Sequence, residues 1–191
     1  MTPLEIPAPL VAVRPPRLEA PSLTSVDTAD GLYFPMLSGS AEPGAAITVS
    51  NGPLPDVVVA AASDGTWSTP QLEGLPAGRS TIDVAQTLRG ATSATTTATV
   101  DLVPPTIVAS RGALVNGLFP LPITGHPGAH VTVLIEGSSS AQATLDATGG
   151  ATVSIPFASG QAPLTMTARY GAPGRSGPSS GRMSLTLDLT G

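Results

Sequence analysis

The strongest constraint on this chain is that it repeats itself. Gly31-Leu32-Tyr33-Phe34-Pro35-Met36-Leu37-Ser38-Gly39 is echoed by Gly117-Leu118-Phe119-Pro120-Leu121-Pro122-Ile123-Thr124-Gly125, an offset of 86 from Gly31 to Gly117. Pro43-Gly44-Ala45-Ala46-Ile47-Thr48-Val49 returns as Pro127-Gly128-Ala129-His130-Val131-Thr132-Val133 at an offset of 84, so two residues are lost in the intervening turn. Thr81-Ile82-Asp83-Val84 matches Thr165-Met166-Thr167-Ala168 at 84, and Val100-Asp101-Leu102 matches Leu187-Asp188-Leu189 at 87. Four matches in order, drifting only at turns rich in Gly, Pro and Ser, define one module written twice.

Each copy reads as short strands. Apolar and polar residues alternate in Ala46-Ile47-Thr48-Val49-Ser50, in Val131-Thr132-Val133-Leu134-Ile135 and in Ser184-Leu185-Thr186-Leu187-Asp188-Leu189, which marks half-buried strands. Thr95 to Val100 adds β-propensity. Glu42-Pro43-Gly44, Asn51-Gly52-Pro53, Asp64-Gly65 and Pro76-Ala77-Gly78 supply turn chemistry between them. Gly171 to Gly181, rich in Gly, Pro and Ser, reads as a long loop. No window carries a helical period with caps. About seven strands per ~85 residues predicts an all-β chain of two tandem immunoglobulin-like β-sandwiches. The expected division is an extended Pro-rich arm over 1–20, a first sandwich over 21–103 and a second over 104–191. Val103-Pro104-Pro105 joins the two, and its prolines restrict the backbone enough to hold them end to end as a rod.

Composition narrows the function. Of 191 residues, 41% are hydrophobic but only 3% aromatic, so the cores must be built from Val, Ile, Leu and Ala. Charged residues are 11%, well under the ~25% of ordinary soluble proteins. Such a surface suits packing against neighbours or exposure outside a cell. All eight basic residues are arginine, and the net charge of −5 argues against a nucleic-acid binder. The absence of cysteine removes disulfides, thiolate metal sites and cysteine nucleophiles. Pro3, Glu5, Pro7 and Pro9 follow Met1 before the first basic residue, Arg14, which is not a signal-peptide pattern. The expectation is a chain made and used without classical secretion. No run approaches the ~18 apolar residues of a membrane span, so membrane insertion is not expected.

Three segments of the first copy resemble bacterial Ig-like domains. Ser38-Gly39-Ser40-Ala41-Glu42-Pro43-Gly44-Ala45-Ala46-Ile47-Thr48-Val49 is similar to their opening segment, Asp64-Gly65-Thr66-Trp67-Ser68 to their Asp-Gly-Thr-Trp turn, and Leu75-Pro76-Ala77-Gly78 with Thr81-Ile82-Asp83-Val84 to a later strand. The second copy has Gly149-Gly150-Ala151-Thr152 where the tryptophan motif would fall. The resemblance implies surface stalks, adhesins, enzyme accessory modules or phage virion proteins, and no single activity.

Candidate sites are few. His126 and His130 are four apart, but Pro127-Gly128 between them makes a turn rather than a zinc-binding helix face. Asp27, Asp30, Asp64 and Asp101 are conceivable calcium ligands at module junctions, yet no dense Asp-x-Asp-x-Asp run exists. Ser110 and Ser154 lack a nucleophile elbow. Trp67 is read as a core residue between sheets. No cofactor, metal or catalytic residue is expected. The specific role is placed in the arm, where Pro3, Ile6, Pro7, Leu10, Arg14, Pro15, Pro16 and Arg17 favour extended backbone able to lie along another subunit. Arg14 and Arg17 could pair with a partner's carboxylates. The expected function is a non-enzymatic assembly protein, a capsid decoration or tail-associated virion component bound to capsid or tail proteins. A bacterial cell-surface adhesin spacer is the alternative. An accessory module binding host-surface glycans comes third, because exposed aromatics are scarce.

Overall fold

Alternation decides which face each strand buries. In a computed structural model describing residues 17–108, 114–156 and 163–185, the runs of alternating residues become antiparallel strands around two separate apolar cores. The first sandwich contains β1 (Ser22–Asp27), β2 (Met36–Ser40), β3 (Ala46–Ser50), β4 (Val57–Ala60), β5 (Thr66–Ser68), β6 (Gly78–Leu88), β7 (Ala91–Thr92) and β8 (Thr96–Leu102). One sheet has the order β1-β2-β5; the other runs β4-β3-β6-β8, with β7 extending the far end of β6. The second sandwich contains β9 (Thr106–Ile107), β10 (Leu118–Thr124), β11 (His130–Ile135), β12 (Ser138–Thr144), β13 (Gly150–Pro156), β14 (Leu164–Ala172), β15 (Arg175–Ser176) and β16 (Met183–Leu185). Its sheets, β9-β10-β13 and β12-β11-β14-β16 with β15 at the end of β14, copy the first strand for strand. The architecture is therefore all-β, two tandem immunoglobulin-like sandwiches.

Facing sheets interdigitate aliphatic side chains, as the shortage of aromatics requires. Leu37, Ile47, Ile82, Val84 and Leu102 are buried in one core, Leu121, Ile123, Val131, Ile155 and Met166 in the other. Each contributes on the order of 1.5–3 kcal/mol of apolar transfer.

Strand pairing corrects two sequence offsets. Gly39 lies opposite Trp67, and Ile123 lies opposite Ala151, so Gly39 corresponds to Ile123 at an offset of 84. The glycine of the first match, Gly125, corresponds instead to Ala41: each donates its N–H to the next glycine carbonyl, Gly65 or Gly149. No residues are lost in that turn. Likewise Ser80 pairs with Val100 and Leu164 with Leu185, so Val100 corresponds to Leu185 rather than Leu187. Both errors are slips of two residues. Side chains on a strand alternate with a period of two, so such a slip preserves the inward pattern and is invisible to it.

The correct register explains how the second sandwich manages without a tryptophan. Trp67 is buried, and its ring occupies the space that a side chain at Gly39 would need: a Cβ there would lie 2.9 Å from Trp67 Cζ2. The second sandwich exchanges this Gly–Trp pair for Ile123–Ala151, moving the bulk to the neighbouring strand. Glycine at 39 is also imposed by backbone, since the same Cβ would fall on the carbonyl oxygen of Ser22.

A second exchange is polar. Gln86 is buried, its Oε1 accepting from Glu42 N–H (2.9 Å) and its Nε2 donating to Glu19 C=O (2.8 Å). At the corresponding place in β14 stands Tyr170, whose hydroxyl accepts from His126 N–H at 2.8 Å. Different side chains thus satisfy the same backbone donor, as a buried N–H requires.

The turn entering β5 and its counterpart entering β13 are held by aspartates at different places. Asp64 Oδ1 accepts from Thr66 N–H and hydroxyl (3.0 and 2.7 Å). Asp146, which corresponds to Ala62, accepts with Oδ1 from Gly150 N–H (3.0 Å) and from Thr148 hydroxyl and N–H (2.7 and 2.8 Å). These bonds hold both carboxyls below the ordinary carboxylate value, the Thr66 N–H leading at Asp64 and the Gly150 N–H at Asp146.

Three outcomes are expected. Trp67→Ala should destabilise the first sandwich by roughly 3–5 kcal/mol in denaturant unfolding. Gly39→Ala should remain destabilising in the Trp67→Ala background, because the Ser22 carbonyl still blocks the Cβ; full rescue by removing the ring would refute that account. A carboxyl with a depressed folded-state pKa stabilises above its unfolded value, here near 3.8, and that contribution is lost as pH falls through the lowered value. Asp146→Asn should therefore flatten the decline of melting temperature between about pH 4 and pH 2, read by circular dichroism; an unchanged slope would discount the turn.

Candidate functional site

Among the described residues, an extended polar constellation lies where the sandwiches meet. It is built from a loop of the first, Thr28 to Phe34, and the β14–β15 hairpin of the second. Three consecutive residues of the loop, Ala29, Asp30 and Gly31, have φ of 46°, 59° and 86°. Non-glycine residues adopt this left-handed region at a cost of order 1–3 kcal/mol each when the surroundings enforce it. Here Asp27 Oδ1 accepts from Ala29 N–H (3.1 Å), Thr28 Oγ1 accepts from Gly31 N–H (3.1 Å), and Thr28 C=O accepts from Tyr33 N–H (3.0 Å). Gly31 C=O in turn accepts from Val103 N–H at 2.9 Å, tying the loop to the linker. The loop then delivers Leu32 and Tyr33 onto the core of the second sandwich, where both are partly buried.

The hairpin meets this loop through the peptide groups of Ser176. Its carbonyl accepts from Phe34 N–H (2.9 Å) and from Gln71 Nε2 (2.9 Å), and its N–H donates to Gln71 Oε1 (3.0 Å). Gln71 Nε2 also donates to Phe34 C=O (3.1 Å). The side-chain amide thus serves Ser176 as a neighbouring strand's peptide would, with its orientation fixed by two carbonyls on one side and an N–H on the other. Gly177 follows, and its lack of a side chain is obligatory: a Cβ would lie 2.1 Å from Leu32 C=O.

Arg175 closes the other flank. Its Nη1 donates to Asp27 Oδ2 (3.1 Å), its Nη2 donates to Asp27 C=O (3.0 Å), and the guanidinium lies 4.8 Å from the Tyr33 ring centroid. The Arg175 side chain is 20% exposed and that of Asp27 47%, so solvent screens the ion pair. Arg175 Nε is buried without a hydrogen-bond partner, which offsets part of the gain.

The first sandwich carries the equivalent hairpin, β6–β7, in the same register, but Ala91 and Ser93 stand where Arg175 and Gly177 stand in the second. There Ser93 Oγ accepts from Gln86 N–H within its own sandwich. The linker pattern does recur. Pro21 and Pro105 are both buried, and Leu23 faces Gly39 as Ile107 faces Ile123. Glu19 and Pro21 are fixed by Gln86 and Thr96, which donate to their carbonyls.

The sequence candidates distribute as follows. Arg17 is exposed; Pro3, Ile6, Pro7, Leu10, Arg14, Pro15 and Pro16 lie outside the described residues, as does Ser110. His126 lines the crevice between the sandwiches beside Pro104 and Tyr170, whereas His130 lies on the outer sheet face, its Nδ1 2.9 Å from Thr144 Oγ1. Asp27, Asp30 and Asp101 line one pocket beside the junction and Asp64 does not. Among the described residues no three His, Cys, Asp or Glu side chains are placed to share a metal ion. Ser154 is exposed on β13. The Gly171–Gly181 segment is partly β-hairpin rather than all loop. Gln71, Arg175, Ser176 and Gly177 carried no sequence signal, because each acts on a residue far away in the chain.

No protein-family model matches the chain, and no curated protein matches it. Solved structures similar to it include a biofilm-associated protein BSP domain (21% identity, TM-score 0.35, covering 90% of this chain and 30% of that one). Others are a tetra-tandem repeat from the extending region of a large adhesion protein (19%, 0.32, covering 86% and 48%) and the central fibronectin-III array of RIM-binding protein (12%, 0.31, covering 91% and 71%). The chain spans about a third to a half of the length of the first two. Fold and junction together define a tandem immunoglobulin-like β-sandwich protein.

Removing the junction's partners should free the sandwiches without unfolding either. Gln71→Ala with Arg175→Ala is expected to cost about 2–3 kcal/mol of coupling. The checks are a broadened particle-shape distribution by small-angle X-ray scattering and a split of one thermal transition into two. A double variant that scatters like the parent would show that the linker alone sets the geometry.

Proposed function

We propose that the chain is a non-enzymatic structural element, a short braced rod that holds its attachments at a fixed separation within a larger assembly. The observation that carries this reading is the junction. A linker of Val103-Pro104-Pro105 already limits bending, yet the chain adds the Gln71–Ser176 pairing, the Arg175–Asp27 bridge and the Leu32–Tyr33 overlap onto the second core. Interfaces between domains of one chain are by default mobile unless large and hydrophobic, so these added contacts are what argues for a fixed geometry here. The fixed object is the pair of sandwiches, and the polar, charge-poor surface suits contact with neighbouring subunits.

The specific assembly we favour is a bacteriophage virion, with the chain as a capsid decoration or tail-associated component. In this reading Pro3, Ile6, Pro7, Leu10, Arg14, Pro15, Pro16 and Arg17 dock on a capsid or tail subunit by strand addition or by filling a groove. The anchoring of Glu19 and Pro21 supports it, since it gives the arm a fixed origin on the first sandwich. A spacer in a bacterial cell-surface adhesin is the second reading, favoured by the same stiff end-to-end joint, which a stalk also needs.

A chain beginning at Arg17 keeps every anchoring bond described above. It should match the full chain in thermal unfolding and lose incorporation into particles produced with it. Normal incorporation of the truncated chain would remove the first sixteen residues of the arm, and with them Pro3 to Pro16, from the function.

A further inference from the structure

The outer face of the β12-β11-β14 sheet carries a groove of about 690 Å³ with an unusual charge for this protein. The chain has a net charge of −5, yet two of its eight arginines, Arg169 and Arg175, and one of its two histidines, His130, line this one groove, and no carboxylate does. Arg175 is engaged by Asp27; Arg169 makes no ion pair among the described residues.

The floor is laid out by register. Thr132 sits between Gln142 on one neighbouring strand and Arg169 on the other, and His130 lies opposite Thr144. Gly171 leaves the floor open beside Thr132: a Cβ there would be 3.6 Å from Thr132 Oγ1. The groove thus presents a guanidinium, hydroxyls, a side-chain amide and an imidazole within one concavity of the size range of ligand sites.

We propose that this groove binds an acidic glycan, a uronate-bearing oligosaccharide, with Arg169 pairing its carboxylate and Thr132, Gln142 and Thr144 hydrogen-bonding its hydroxyls. Guanidinium–carboxylate pairing is strong and directional, and it fits the one charge the groove lacks. A peptide fits less well. Peptides gain affinity on β-sheets by adding to an edge; the groove lies across the sheet face, with β11 between β12 and β14, and only its β12 side reaches a sheet edge. Over β11, paired on both sides, the floor offers side chains, which suits a molecule dense in hydroxyls. The groove's named residues include none of the 1–20 segment, so the proposal does not rest on the assembly role.

The test uses the full chain and a panel of uronate hexamers (galacturonate, mannuronate and glucuronate types), their methyl esters and polyglutamate, titrated by calorimetry at low salt. At least one uronate hexamer should bind, its methyl ester at least tenfold more weakly. Arg169→Gln should weaken binding at least tenfold, while Arg79→Gln, an exposed arginine on the first sandwich, should change it less than twofold. Because Arg169 is on an outer face, unchanged circular dichroism and melting temperature serve as the folding control. Failure of every uronate to bind, equal loss in the Arg79 variant, or tighter Arg169-dependent binding of polyglutamate would each overturn the proposal, the last in favour of an acidic peptide.

Discussion

A buried peptide group needs a partner for its N–H and for its C=O, and at the junction the peptide groups of Ser176 find both on the other sandwich. Once Gln71 and Phe34 supply them, the hairpin tip cannot leave without stranding polar groups. That requirement places Gly177 against the Leu32 carbonyl, brings Arg175 over Tyr33 and fixes the strained Ala29–Gly31 loop. Hydrogen bonding and sterics therefore help specify the joint, beside the apolar contacts of Leu32 and Tyr33. Its individual bonds are each worth about 1 kcal/mol net, and several of them share the same few residues.

The fold was legible because alternation and turn chemistry are local. Ile47 and Val49 point inward for the same reason that Thr48 points outward, and no knowledge of the partner strand is needed. Register is different. Matching Gly39 with Gly125 looked persuasive because both glycines end an apolar run, but each is glycine for its own reason: one clears the Ser22 carbonyl and Trp67, the other clears the Tyr170 hydroxyl. A two-residue slip preserves every inward residue, so only the pairing of strands could expose it.

Of the junction, the stiff Val103-Pro104-Pro105 linker was legible and the side-chain contacts across it were not. Gln71 and Ser176 are separated by 105 positions, Asp27 and Arg175 by 148. Each looks in isolation like ordinary loop composition. Swaps across the repeat, Gln86 for Tyr170 or Gly–Trp for Ile–Ala, show the same limit from inside the cores. What the fold holds fixed is a hydrogen-bond donor to satisfy or a volume to fill, and several residue types can do either.

The mismatch between the two hairpins has a consequence for how copies of this chain can associate. A head-to-tail contact whose two faces differ closes into a ring only where its rotation permits, and otherwise builds open fibres. Here the docking face, Arg175 to Gly177, occurs once and is already occupied within its own chain. The first sandwich's counterpart has Ala91 in place of the arginine and a serine side chain where close approach demands none. Exchange of sandwiches between two copies would first have to open a linker stiffened by two prolines. Divergence between the repeats thus leaves the second sandwich's docking face without a copy on the first, so the joint cannot be repeated by the same contacts at the first hairpin.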